Sequence, residues 1–226
     1  MSCWALGYLD KECKLIGCLL HPGRNRGKDL RYRVGFGEKC SREICPEARE
    51  FLKLEKEPRR FWLQLTDGLD SFSYSSRKVN PLFKMLGWGA ELLAEIARAE
   101  GGVSLSRDSF SLSYPFFSTP LNPKAHAYII ESMVKRKGTG LLRWQGFRQR
   151  FEVFSRYLLV SLEKNFSNCP DAPHTHRLDL DRRFLDYLRL AAGITRIDVA
   201  AALKMKEIVD REVVKFLETG GFNAPW

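Results

Sequence analysis

"LLRWQGFRQRFEVFSRYLLVSLEKNF", residues 141–166, places Leu142, Phe147, Phe151, Phe154, Leu158 and Leu162 three to five residues apart. That spacing puts six large apolar side chains on one face of an α-helix and leaves arginines and glutamates on the other. The same period recurs on both sides. Upstream, "NPKAHAYIIESMVKRKG" (122–138) opens with a capping Asn and a proline at the first helical position and closes on Gly138. Downstream, "DLDRRFLDYLRLAAG" reads as one helix. "TRIDVAAALKMKEIVDREVVKFLETGG" reads as another, with Ile197, Ala201, Ile208, Val213 and Leu217 facing inward. The link "LKMKEIVD" has no breaker, so one continuous helix explains it better than a DNA-reading helix-turn-helix. Residues 122 onward are therefore expected to be helical.

Further towards the N-terminus the pattern is weaker. Pro46 followed by "EAREFLKLEKE" predicts a helix with Ala48, Phe51, Leu52 and Leu54 on its apolar face, ended by Pro58. Asn80-Pro81 opens a second, over "LFKMLGWGAELLAEIARAEGG", with Leu82, Leu86, Leu92, Leu93, Ile96 and Ala97 inward and Gly101-Gly102 at its end. Between and beyond these, residues 59–121 are mixed. "FWLQLTD" and "LDSFSYSS" alternate around Asp67-Gly68, and "VSLSRDSFSLSYPFF" alternates around Arg107-Asp108, so two short β-hairpins are expected. The expected fold is mainly α: a helical domain over 47–226 after a small Cys-rich segment over 1–46. Hydrophobic residues at 44% and aromatics at 12% are enough for a packed core and exclude a disordered chain.

Residues 1–46 carry five of the six cysteines: Cys3, Cys13, Cys18, Cys40 and Cys45. No run approaches a membrane span, and Asp10, Lys11, Glu12 and Lys14 interrupt what would be the apolar part of a secretory signal, so a cytoplasmic protein is expected. In a reducing compartment crowded cysteines point to metal ligation rather than disulfides. Two tetrahedral sets compete. One pairs Cys13-x4-Cys18 with Cys40-x4-Cys45. The other drops Cys13 and uses Cys3, Cys18, Cys40 and Cys45, with His21 able to replace one thiolate. Zinc is the simpler occupant because it needs only four soft ligands, and the alternative is an iron–sulfur cluster. A third reading treats these thiols as small buried apolar groups.

The residues Cys3, Leu9, Asp10, Cys18, His21, Pro22 and Arg24, in "CWALGYLDKECKLIGCLLHPGR", carry a local resemblance to the YkgJ-like cysteine-cluster proteins. It covers about residues 3–24, and it implies a zinc or iron–sulfur centre of unassigned task.

With 37 basic against 27 acidic residues the formal charge is +10. The excess gathers in two places, residues 24–33 and residues 135–156, and in the second stretch seven basic groups face Glu152 alone. Either face is suited to an acidic protein or to nucleic acid. "HTH" at His174–His176, close to Cys169, would hold both rings on one side of an extended segment, but a polar loop leading into the next helix is the simpler reading. There is no HExxH, GxSxG, Walker or GxGxxG motif. The expected task is that of a zinc-binding accessory or interaction protein. The alternatives are an iron–sulfur or thiol redox enzyme, and a nucleic-acid-binding protein.

Overall fold

The computed structural model describes residues 5–13, 16–21, 24–28, 30–34, 46–70, 73–74, 76, 79–101, 105–118 and 121–219. Among them are ten α-helices and one two-stranded sheet, so the fold is mainly helical as the periodicity requires. The chain divides into two compact units, residues 1–107 and 108–226. The boundary expected near residue 46 falls inside the first.

Unit 1 begins with an antiparallel hairpin, β1 (Leu6–Tyr8) and β2 (Ile16–Cys18), in register Leu6↔Cys18, Gly7↔Gly17 and Tyr8↔Ile16. Four helices follow: α1 (Pro46–Lys53), α2 (Lys56–Gln64), α3 (Pro81–Leu86) and α4 (Ala90–Ala99). α4 packs on each of the other three. Trp62 of α2, fully buried, sends its indole N–H to the carbonyl of Leu93 in α4 at 3.0 Å. Glu50 of α1 accepts from the backbone N–H of Ala90 at 2.9 Å, which satisfies one orphan donor at the start of α4. At the start of α3, Asn80 accepts from the N–H of Leu82 at 2.9 Å and donates to the carbonyl of Tyr74 at 2.8 Å. Pro81 is its first residue, as the sequence led one to expect.

Several expectations for unit 1 are corrected. "FWLQ" belongs to α2 and not to a strand, because Phe61, Trp62 and Leu65 are buried together at helical spacing. Pro58 ends nothing. It sits in the first turn of α2, where its N–H has no helical acceptor to miss, and α1 stops earlier, at Lys53. Leu52, assigned to the apolar face of α1, is 60% exposed. Residues 81–99 form two helices separated at Gly87–Gly89.

Unit 2 contains α5 from Asp108 onward (the helix spans Arg107–Ser113), α6 (Pro123–Lys137), α7 (Gly140–Arg143), α8 (Phe147–Glu163), α9 (Arg182–Leu190) and α10 (Val199–Thr219). The second expected hairpin is instead α5 and a 3-10 turn at Pro115–Phe117. Their Phe110, Tyr114 and Phe116 are buried, and aromatic packing overrides the polar–apolar alternation there. α6 packs against α7, α9 and α10 and buries Ala125, Ala127, Ile129, Ile130, Met133 and Val134. Asn122 stands at its start without a side-chain cap bond, and Gly138 at φ +77° ends it.

The stretch 141–166 is two helices, not one. Trp144 takes an extended conformation, its ring lies so close over Gly146 that a Cβ there would meet it at 2.6 Å, and the Arg150 guanidinium sits 4.7 Å above the ring. All six apolar residues on the expected face are buried nonetheless. α10 is continuous, which agrees with the rejection of a helix-turn-helix. Its buried stripe is Ala202, Met205, Val209, Val213 and Leu217, so Ala201 and Ile208 lie beside the stripe rather than on it. Among the described residues no helix is long and apolar enough to cross a membrane.

Candidate functional site

Three of the six expected metal ligands, Cys3, Cys40 and Cys45, lie outside the described residues. The other three lie on and around the hairpin. Cys18 ends β2 directly opposite Leu6, at the open end of the ladder, and is half-buried. Leu19 donates its N–H to Ala5 across that end at 2.8 Å. His21 is exposed and follows in a turn, its N–H donated to the Cys18 carbonyl at 3.2 Å. Cys13 lies in the connection between the strands, exposed, at φ +56°, with Sγ 3.9 Å from the Lys11 carbonyl.

The chain after β2 folds back on the same hairpin. Asn25 donates to the carbonyls of Leu19 and His21, each at 2.9 Å, and Leu30 donates its N–H to Leu20 at 3.1 Å. Arg24 reaches Leu9 O at 2.5 Å. Leu9 and Arg24, two of the residues that carry the local resemblance, are thus brought together. This bond also spends one cation of the basic 24–33 segment on holding the fold. In residues 5–34, Ala5 is the only described side chain that is buried. An isolated two-stranded hairpin is marginal in water without an added constraint.

The His174–His176 segment is not extended. Thr175–Arg177 form a single 3-10 turn, Thr175 is fully buried, and the two rings stack with centroids 5.4 Å apart. The segment is tied to residues 193–196. The Asn168 carboxamide oxygen accepts from the N–H groups of Thr195 and Arg196 at 2.7 and 3.0 Å, and Thr175 donates its hydroxyl to Ile194 O at 2.7 Å. Arg196 donates to the Pro170 carbonyl at 2.8 Å and lies 3.1 Å from His174 Nε2. A guanidinium only donates, so Nε2 is the acceptor and the ring proton sits on Nδ1. The Arg196 charge lowers the His174 pKa, and the same positive charge opposes a metal ion at that nitrogen. This loop is a structural clasp, and Cys169 lies exposed at its edge.

In unit 2, polar ties join α6 to both flanking helices. Tyr128 donates to Asp210 at 2.5 Å, Lys206 pairs with the other Asp210 oxygen at 2.7 Å, and Lys206 also sits 5.6 Å from the Tyr128 ring centroid. Burial, followed by the Asp210 bond, raises the Tyr128 pKa, which makes the phenol a fixed donor and not a base. Glu131 pairs with Arg183 of α9 and with Lys135 at 2.8 Å. Nothing in the sequence marked Tyr128 and Asp210 as partners, because 82 residues separate them.

Among the described residues no group of three His, Cys, Asp or Glu side chains converges on one point. Compared with known proteins, the chain matches no family model, no curated sequence and no solved structure at a significant level.

Proposed function

We propose that this chain is an accessory or interaction protein whose N-terminal segment is folded around one structural zinc ion, bound by Cys18, Cys40 and Cys45, with Cys3 or His21 completing the set. The observation that supports the reading is that Cys18 and His21 lie together at the open end of a short two-stranded hairpin. Cys18 is bonded through its carbonyl to the N–H of His21, and in the sequence a single residue separates Cys3 from Ala5. Metal binding would supply folding free energy to a segment built on so short a sheet. Of the two ligand sets we favour the one without Cys13, which lies exposed in the connection between the strands, away from the end that Cys18 occupies. The local resemblance to YkgJ-like cysteine-cluster proteins includes Cys3, Cys18 and His21 of this set.

The test is metal content and visible absorption of anaerobically purified protein. About one zinc per chain is expected, lost in Cys18→Ser, Cys40→Ser and Cys45→Ser and retained in Cys13→Ser. Iron with acid-labile sulfide and a brown colour would move the protein to the redox class. Protein that is metal-free as isolated, binds no added zinc and stays folded in all four variants would end the proposal.

A further inference from the structure

Residues 135–150 run from the last turn of α6, through α7, to the first turn of α8. Between Glu131 and Glu152 the chain holds six cations and no acid. Five of them, Lys135, Arg136, Lys137, Arg143 and Arg150, are exposed, and the other exposed side chains of the stretch are two glutamines. α7 is four residues long and packs against both α6 and α8. The cations at the end of one long helix and at the start of the next therefore border the same short element.

Part of this charge has an ordinary structural reading. Lys135, Arg136 and Lys137 close α6, where cations suit the negative end of the helix dipole, and Lys135 pairs with Glu131 at 2.8 Å. Arg148 is bonded to Glu152 at 2.6 Å and to the Phe116 carbonyl at 3.1 Å, so it serves the fold. Arg150 is different. The first turn of α8 contains no acid, and a cation there stands at the positive end of the dipole, so folding of that helix does not call for it. Its guanidinium nevertheless has a fixed seat, 4.7 Å over the Trp144 ring. Arg143 is seated in the same way, 5.1 Å over the Tyr114 ring and donating to its hydroxyl at 3.1 Å. Side chains already ordered at a surface lose less freedom when they meet a partner.

The composition of the surface selects that partner. Protein interfaces centre on apolar or aromatic side chains inside a polar rim, and binding to a lipid surface sinks apolar groups among the headgroups. No large apolar side chain is exposed over 135–150: Leu141, Leu142 and Phe147 are buried, and Trp144 is half-buried. Nucleic-acid interfaces are instead polar and strongly positive, and a guanidinium pairs with a phosphate through two N–H groups at once. We propose that the exposed cations of residues 135–150 form a binding face for the phosphate backbone of a nucleic acid, independent of base sequence.

The test is fluorescence anisotropy of the full chain with two labelled probes of mixed sequence, a single-stranded RNA and a DNA duplex. Binding to at least one is expected. With about four or five phosphates neutralised, log K should fall against log salt with a slope of about −3 to −4.5. Arg136→Gln with Lys137→Gln should reduce the size of that slope by about 1.5, and Arg150→Gln by about 0.8. Because the whole chain is basic, a charge-matched control separates this face from diffuse attraction. Lys164→Gln with Lys204→Gln, both exposed elsewhere in unit 2, should leave the slope unchanged. Circular dichroism checks that each variant keeps its helices. Photo-crosslinking of the unaltered protein to the bound probe, mapped by mass spectrometry, needs no variant and should mark residues within 135–150. No binding to either probe at low salt, an equal loss in the control pair, or crosslinks absent from 135–150 overturns the proposal. So does capture of polyglutamate or of anionic vesicles without either nucleic acid, which would assign the face to an acidic protein or a lipid surface. Zinc content should be the same in all these variants, so this inference and the metal proposal stand or fall separately.

Discussion

Asn80 is 1% exposed, yet both ends of its amide are matched: the oxygen takes the Leu82 N–H, and the nitrogen gives to Tyr74 O. The cap half of that pair was readable from Asn-Pro at a helix start, because capping is a matter of two or three residues. The Tyr74 half was not, since it depends on where the preceding loop lies. His126 is a case with no local signal at all. It sits on α6 against the edge of the Phe151 ring, with centroids 5.5 Å apart, and its Nδ1 is buried without a hydrogen-bond partner. Burial lowers its pKa, and the Arg148 charge lowers it further against the weaker opposing effect of Glu152. The folded state then binds fewer protons at this site than the unfolded chain, so stability rises with pH across the window below 6.5 and is lost as pH falls through it. The thermal midpoint of the protein is expected to drop from pH 7.5 to pH 5, and His126→Gln should flatten that slope. An unchanged slope in the variant would place the acid sensitivity elsewhere.

Helix existence was legible wherever apolar residues recur at helical spacing, and helix ends were legible only where a residue dictates backbone geometry. Gly138 is such a residue. It takes φ +77° and ψ 176° directly after Lys137, a conformation in which a Cβ is strained whatever the space around it. Gly138→Ala is expected to destabilise by ~2 kcal/mol with little change in helical content, checked by chemical denaturation followed by circular dichroism. The break inside 141–166 was hidden because its cause is an aromatic ring lying over Gly146, a contact that periodicity does not encode. The two expected hairpins failed for a related reason. Alternation in "FWLQLTD" and "SFSLSYPFF" is short enough to fit either period, and burial of Trp62 on Leu93 and of Phe110 on Tyr114 settles it in favour of helix. Pro58 gave a similarly ambiguous signal, since proline ends a helix or opens one depending on which turn it occupies.

The division at residue 107 separates two sets of buried apolar residues. Unit 2 holds Ile129, Met133, Phe147, Phe151, Leu158, Leu188, Val209 and Val213 at 0% exposure, a core of the size that lets a unit fold alone. A fragment beginning at residue 105, so that α5 is whole, is expected to unfold cooperatively with helical circular dichroism. A fragment that stays unfolded would return the domain boundary to near residue 46. The formal net charge is +10. Arg24, Arg148, Arg183 and Arg196 also have internal duties, so the exposed basic surface is smaller than the composition implies.

By itself the amino-acid order determined the helical class, most of the buried face of residues 142–162, the cap at Asn80, and the cysteine-rich character of the first 46 residues. These are set by neighbours within a few positions, which is the range over which periodicity and capping act. Tertiary structure alone decided that Cys18 and His21 share the open end of a hairpin, that His174 is clasped by Arg196, and that Tyr128 meets Asp210. It also decided that α8 and α10 leave an apolar groove where α10 ends. The last three join residues 22 or more positions apart, and the first rests on the pairing of β2 with β1; such proximity comes from packing elements on one another and is not stored in local sequence.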